Sequence, residues 1–418
     1  MDADNPDLVT VVGIGAGGWS DLSRTAVSAL SSAPVIVGSA RQLSLLPPSV
    51  TARRVPLPSP LLPGLGTLLE PGVVVLASGD PMFHGIGATI MRLSDPSRVR
   101  IIPHPSSVSL AAARLGWPLA TTEVISLVTA DPATLRRALN PGRRVLVLSR
   151  DATTPGRVAS LLVEAGFGAA SMTVLSQLGG PSEHICSGVA SSWAHPPGDA
   201  LNVIAVSCPP GVSGISVAPG LSDSLYETDG QLTKREVRAV TMAVLAPTPG
   251  ALLWDVGAGS GSIGIEWMRS HPDCRAYAVE SSPARVTTIR TNALYLGVPG
   301  LEVVTGPAPD ALTGLPTPDA VFIGGGLTRE GVLEACLAAL RPGGRLVANA
   351  VTLESEATLA AAYAELGGEL TRLSVSRGSP VGGFTGWRPM MPVTIWSVTR
   401  LSAGLPGAVT PFPGAVTS

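Results

Sequence analysis

Residues 252–269 read LLWDVGAGSGSIGIEWMR. The apolar run LLWDVG suits a buried strand, and SIGIEWMR spaces its apolar residues as a helix does. Gly257, Ala258, Gly259, Ser260 and Gly261 fill the turn between them. Glycines in such a turn let the backbone approach a ligand closely, because no Cβ intervenes. Glu280 closes the next strand candidate, AYAVE, where a carboxylate accepts both hydrogen bonds of a ribose 2′,3′-diol. Turn and acid together fit an adenosine nucleoside, a logic that dinucleotide-binding folds share.

Outward from this stretch the chain alternates strand-like and helix-like segments. LEVVTG (301–306), AVFIGG (320–325) and RLVANA (345–350) continue the strands, and helices are expected around 262–270, 283–296, 327–341 and 354–366. This half reads as a doubly wound α/β sheet. An earlier series, VTVVGIG (9–15), VVVLAS (73–78), RVLVLS (144–149) and NVIAVS (202–207), makes a second α/β half. CPPGVSGISVAPG (208–220) separates them with turn formers. The expected division is therefore 1–207, a linker over 208–222, 223–401, and a poorly ordered tail over 402–418.

Composition narrows the function classes. Of 418 residues, 45% are hydrophobic and 14% charged, so the chain is globular, with room for two or three domains. A net charge of -2 supplies no field for a phosphate backbone, and nucleic acid is not an expected partner. Cys186, Cys208, Cys274 and Cys336 have neither zinc nor disulfide spacing and suit a reducing cytoplasm. The five histidines lack metal-ligand spacing, so no metal is inferred. The acidic start MDADNPDL is unlike a signal peptide, and no apolar run reaches the roughly 20 residues of a membrane helix. A soluble cytoplasmic protein without a membrane partner is expected.

The DxGxGxG form beginning at Asp255 resembles the first motif of class I S-adenosyl-L-methionine-dependent methyltransferases. QLTKREVRA (231–239) and GPAPDA (306–311) resemble the T-K-x-E-[IV]-R and G-x-A-P-[DE]-A stretches of the corrin-biosynthetic C15-methyltransferase/decarboxylase family, and LRPGGRLVANAV has the superfamily's helix, turn and strand. The resemblance implies that Thr233, Gly257 to Gly261, Glu280 and Ala308 contact S-adenosyl-L-methionine, with Asp255 facing its cationic methionyl end. Lys234, the chain's only lysine, and Arg235 would face substrate carboxylates, and Asn349 is a further substrate-binding candidate.

Gly13, Gly15 and Gly18 spell GxGxxG after the first strand. No Asp or Glu lies between Asp21 and Glu70, so the ribose-binding acid of a dinucleotide fold is missing. VVGIGAGG, LASGDPMFHGIG (76–87) and PSSVSLAAARLGWP (105–118), in that order, resemble the two-subdomain tetrapyrrole C-methylase fold instead. That resemblance implies a second cofactor cleft at Gly79, Asp80, Ser106 and Ser107. Arg24, Arg41, Arg53 and Arg54, in a segment without acids, are candidates for a polycarboxylate or plain surface arginines. Where relatives of this fold read S-L-H-G, the chain has Ser126-Leu127-Val128-Thr129.

The two resemblances together imply methylation of a tetrapyrrole (precorrin) substrate at C5 and C15, with decarboxylation of the ring-C acetate, in the cobalamin pathway, and a homo-oligomer is expected. Two alternatives stand beside it. Only the C-terminal half is catalytic and the other half a binding module, or the chain is a class I methyltransferase for RNA or protein.

Overall fold

The computed structural model describes residues 8–400, and the tail expected over 402–418 lies outside them. Two compact units meet between Gly214 and Ile215.

The first unit holds two sheets. Strands β1 (Val9–Ile14), β2 (Val35–Gly38), β3 (Arg53–Pro56), β4 (Val73–Ser78) and β5 (Val99–Ile102) form a parallel sheet in the order β3-β2-β4-β1-β5. Both faces of this sheet are covered, which is why VTVVGI and VVVLA are unbroken apolar runs. Val12, Ile14, Val74 and Leu76 pack on Ala26, Leu30 and Leu43, while Val11, Val73 and Val75 pack on Leu65 and Ile90. A fully buried side chain of this size contributes about 1.5–3 kcal/mol. The second sheet is mixed. Its strands β6 (Glu123–Ser126), β7 (Arg144–Leu148), β8 (Ser171–Ser176), β9 (His184–Val189) and β10 (Asn202–Ser207) run in the order β6-β7-β10-β8-β9, with only β6 and β7 parallel.

The second unit is a seven-stranded sheet. β11 (Leu252–Val256), β12 (Arg275–Glu280), β13 (Glu302–Thr305), β14 (Ala320–Ile323) and β15 (Arg345–Ala350) are parallel, and the order is β13-β12-β11-β14-β15-β19-β16. β16 is Glu369–Leu373, β17 (Ser376–Val381) and β18 (Phe384–Pro389) form a separate hairpin, and β19 (Val393–Thr399) runs antiparallel between β15 and β16. Leu253, Ala278 and Phe322 face one core with Trp267 and Ile289, and Trp254, Val279 and Val321 face another with Cys336 and Leu359. The sheet order reverses at β11, whose neighbours are β12 and β14, so its C-terminal end is the expected ligand edge.

The structure departs from the sequence-based expectations in two places. The helix expected over 327–341 is only Val332–Ala339, because Gly331 takes φ +79° and keeps 327–331 out of the helix. Four strands follow the last sequence candidate. β16 to β18 are mostly exposed and carry no apolar run by which to find them. The Pro/Gly stretch 208–222 is anchored at both ends. Cys208 N donates to Arg143 O in the first unit, while Gly220 N and Leu221 N donate to the Glu266 carboxylate in the second, at 2.7 and 3.0 Å. Among the described residues no helix is long and apolar enough to cross a membrane.

Candidate functional site

The parallel register of the second unit brings three strand ends to one edge: Val256 lies beside Val279 and Ile323, so Gly257, Glu280 and Gly324 leave the sheet together. A cavity of about 670 Å3 opens there. Its wall includes Thr233, Lys234, Gly257, Ala258, Gly259, Glu280, Ala308 and Asn349. Gly257 has φ +70°, and a Cβ on it would stand 2.6 Å from the Gly325 backbone. Glu280 braces its own surroundings: Oε2 accepts from Gly259 N at 2.9 Å and Oε1 from Ser282 N at 2.9 Å. Ser281 Oγ also donates to Oε1, at 3.4 Å, so it is Oε2 that keeps a lone pair for an incoming hydroxyl. Asn349 Nδ2 donates to Thr241 Oγ1, and its buried Oδ1 has no partner among the described residues.

Four of the sequence candidates stand outside the cavity wall. Asp255 is buried beneath the glycine turn, where its Oδ2 accepts from Gly264 N at 2.8 Å and Oδ1 has no partner among the described residues. Burial pushes this carboxyl up to about 7, against the Gly264 hydrogen bond that lowers it, and the nearby Glu280 carboxylate raises it further. Ser260 Oγ donates to Gln231 O at 3.2 Å, and Gly261 caps the following helix against Ile289. Arg235, the first residue of the helix Arg235–Leu245, is exposed and away from the wall.

Other residues join the wall without a sequence signal strong enough to name them. Arg329 sits in the 327–331 turn, donates to Ala308 O at 3.3 Å, and has no acidic partner among the described residues. A basic residue after the fourth strand of an α/β sheet was the available clue. Arg285 also lines the cavity but already pairs with Asp229 at 2.8 Å. Phe322, Val351, Met390, Met391 and Val393 supply the apolar side. Behind the wall, fully buried Arg238 donates to Thr233 O and pairs with Glu266 at 2.5 Å, which holds the Thr233–Lys234 turn in place.

The first unit has a smaller cleft, of about 80 Å3, at the C-terminal ends of β1 and β4. Gly79 and Ser107 line it together with Gly15, Ala16, Arg41 and Ser78, and the second sheet contributes Leu175 and Val203. Asp80 and Ser106 do not line it. Asp80 Oδ1 accepts from Met82 N at 2.8 Å in an Asx turn, and Ser106 Oγ accepts from Ser109 N at 3.0 Å as a helix cap. A Cβ on Gly13 would overlap the Gly79 carbonyl and come within 2.8 Å of His104 Cβ, and one on Gly15 would stand 2.7 Å from His104 Nε2. These glycines therefore make room for the protein's own chain. His104, half-buried there, is held below the usual histidine range by desolvation, which outweighs the opposing pull of Asp21. Val128 is exposed, and Arg150 Nε donates to its carbonyl at 3.1 Å. Arg24 and Arg53 are exposed, while Arg54 is spent on the carbonyls of Leu43, Leu46 and Pro47. No cluster of three or more metal-ligating side chains occurs among the described residues.

Two family models match the chain: tetrapyrrole (corrin/porphyrin) methylases over residues 8–193, and a precorrin methyltransferase domain over 224–400. The chain is 51% identical over 398 residues to a precorrin-6Y C(5,15)-methyltransferase [decarboxylating] of Mycobacterium tuberculosis (strain CDC 1551 / Oshkosh), covering 94% of this chain and 100% of that protein. It is 47% identical over 401 residues to one from Sinorhizobium sp, covering 94% and 96%. Among solved structures, the C-terminal domain of precorrin-6Y C5,15-methyltransferase from Rhodobacter capsulatus is 43% identical, with a TM-score of 0.43, over 44% of this chain and 100% of that one.

Proposed function

The chain belongs to the precorrin-6Y C5,15-methyltransferase (decarboxylating) family, and we propose that its methyl donor is S-adenosyl-L-methionine, taken up in the second unit between the Gly257–Gly261 turn and Glu280. The enzyme methylates precorrin-6Y at C5 and C15 and removes a carboxyl group in cobalamin biosynthesis. Neither RNA or protein methylation nor a non-catalytic N-terminal half is favoured, since relatives matched over nearly the whole chain carry the double activity in their names.

We assign C15 methylation and decarboxylation to the second unit and C5 methylation to the first. The observation that carries the first assignment is the 670 Å3 cavity at the sheet's switch point, where Gly257, Glu280, Lys234 and Asn349 converge. The residues fit the donor there: the Gly257–Gly259 backbone forms the wall beside Glu280, Glu280 Oε2 keeps a lone pair for a ribose hydroxyl, and the orphaned Asn349 Oδ1 awaits a hydrogen-bond donor. The donor supplies a sulfonium methyl group, which an electron-rich macrocycle carbon attacks in line. The protein's share is alignment and exclusion of water. Phe322, Val351, Met390 and Met391 offer an apolar face to a macrocycle, and Lys234 and Arg329 stand ready for its carboxylates. In decarboxylation the carbon–carboxylate bond breaks, carbon dioxide leaves, the conjugated ring takes the electron pair, and the carbon left behind gains a proton.

The 80 Å3 cleft of the first unit is about an eighth of the other cavity. It does not accommodate a whole donor molecule in this conformation. We further propose a cytoplasmic homo-oligomer. Four free cysteines support the location, and Phe384 and Trp387, exposed on the β17–β18 hairpin, support self-association. Incubation with precorrin-6Y and methyl-labelled S-adenosyl-L-methionine, read by mass spectrometry, tests the function: two labelled methyl groups gained and one carbon dioxide lost is the expected product. Light scattering of the pure protein tests the assembly.

A further inference from the structure

Arg41 differs from the other arginines of its acid-free segment. It is half-buried and lines the 80 Å3 cleft, and among the described residues it forms no ion pair. Among the described residues the guanidinium's one hydrogen bond is from Nη2 to Ser78 Oγ at 3.1 Å. Burial lowers its affinity for its proton, with no carboxylate opposing the effect. A guanidinium partly withdrawn from water without a counter-charge gains from an anion that completes it.

Ser78 points to the same conclusion. Its Oγ accepts from Arg41 Nη2 and from Gln42 Nε2, each at 3.1 Å, which occupies both lone pairs and leaves the hydroxyl only its proton to offer. Ser107, first residue of the helix Ser107–Leu115, closes the other side with that helix's positive end. No acidic residue lines the cleft. Its volume is too small for a macrocycle or a nucleoside, yet suits the end of a carboxylate arm.

We propose that Arg41 and Ser78 form a carboxylate-binding subsite of the N-terminal unit, which receives an acetate or propionate arm of the tetrapyrrole or the carboxylate of the methyl donor. The subsite rests on the reading that this unit methylates C5. The guanidinium donates two N–H bonds to the carboxylate and the Ser78 hydroxyl a third.

The test uses the full-length protein with Arg41→Ala, Arg41→Gln and Arg41→Lys. Thermal midpoints equal to that of the unmodified protein certify folding. Charge-assisted hydrogen bonds of this kind correspond to roughly 10- to 100-fold in affinity. Arg41→Ala and Arg41→Gln should therefore raise the KM of the C5 step by at least about tenfold, while Arg41→Lys retains most of it. That KM should rise with ionic strength in the unmodified protein and lose this dependence in Arg41→Ala. C15 methylation and decarboxylation, separated by product mass, should be unchanged. If the carboxylate is the substrate's, the KM that rises is the tetrapyrrole's, and calorimetric titration with S-adenosyl-L-homocysteine still counts two sites. If it is the donor's, the donor KM rises and one of the two sites weakens. A C5 step with KM, kcat and salt dependence unchanged in Arg41→Gln overturns the subsite. Should the unmodified protein add only one methyl group, the C5 reading fails by itself, and the subsite is then decided by direct titration: tetrapyrrole or S-adenosyl-L-homocysteine affinity weakened about tenfold by Arg41→Gln upholds it, and unchanged affinity for both removes it.

Discussion

The two units use glycine in the same way and leave very different space in front of it. In both, a buried parallel strand ends in a glycine turn at the C-terminal edge of a sheet. After β11, Gly257 brings the backbone against Gly325 and leaves a cavity of about 670 Å3 in front of it, with Glu280 on the adjacent strand end. At the end of β1, the space beside Gly13 and Gly15 is taken by the Gly79 carbonyl and the His104 side chain, and only about 80 Å3 stays open. A glycine motif thus records that something approaches the backbone closely. In both units that something is the protein's own chain, and the difference lies in the space left in front of the turn and in the acid that ends β12 beside it.

The largest expected effect falls on Glu280. Glu280→Ala removes the proposed diol acceptor and the brace on Gly259 N, so C15 methylation and decarboxylation should fall more than about 100-fold while C5 methylation persists. Product masses read this directly, and loss of both methylations would erase the distinction between the two sites. Gly13→Ala is the reciprocal experiment. Its Cβ meets backbone, which cannot yield cheaply, so a C5 step slowed at least about tenfold and a destabilisation of about 2–3 kcal/mol in urea are expected, with C15 chemistry intact. If Gly13→Ala leaves both unaltered, the first unit's glycines have more room than this packing allows.

Lys234→Ala should raise the tetrapyrrole KM of the C15 step about tenfold without changing donor affinity, since the ammonium lines the cavity and has no acidic partner among the described residues. A weaker donor affinity with an unmoved tetrapyrrole KM would transfer Lys234 to the donor. Asp80→Ala is expected to be milder. The carboxylate holds an Asx turn to Met82 N and stands outside the cleft wall, so loosening it should slow C5 methylation by up to about tenfold.

Asp255 gives the smallest and most local signal. Its carboxyl is raised to about 7 by burial, so the folded state favours the protonated form. The stability this supplies is complete below the unfolded carboxylate value of about 4 and is lost as pH rises toward 7. Asp255→Asn should flatten that part of the thermal midpoint's pH profile by a few degrees. The same slope in both proteins would mean that Asp255 is ionised within the fold.

Much of the C-terminal site was legible because its parts are local. A strand, a glycine turn and a helix are set by the hydrophobic pattern and by the absence of side chains over eighteen consecutive residues, 252–269, and Glu280 is one strand further along. The cations show where such reading ends. Lys234 and Arg235 are neighbours, yet Lys234 lines the cavity and Arg235 is exposed, because Lys234 is the extended residue before the helix and Arg235 is the first residue within it. Arg329 enters the wall only because Gly331 keeps the 327–331 turn from joining a helix, and Arg238 reaches Glu266, 28 positions away, only once two helices have packed. In the first unit the motif GxGxxG was equally plain, but its purpose was settled by His104 and Gly79, which arrive from other strands. Local spacing sets the backbone path, while the partners across a cleft are chosen by the packing of segments far apart in the chain, and that choice carries no mark at the positions where it is felt.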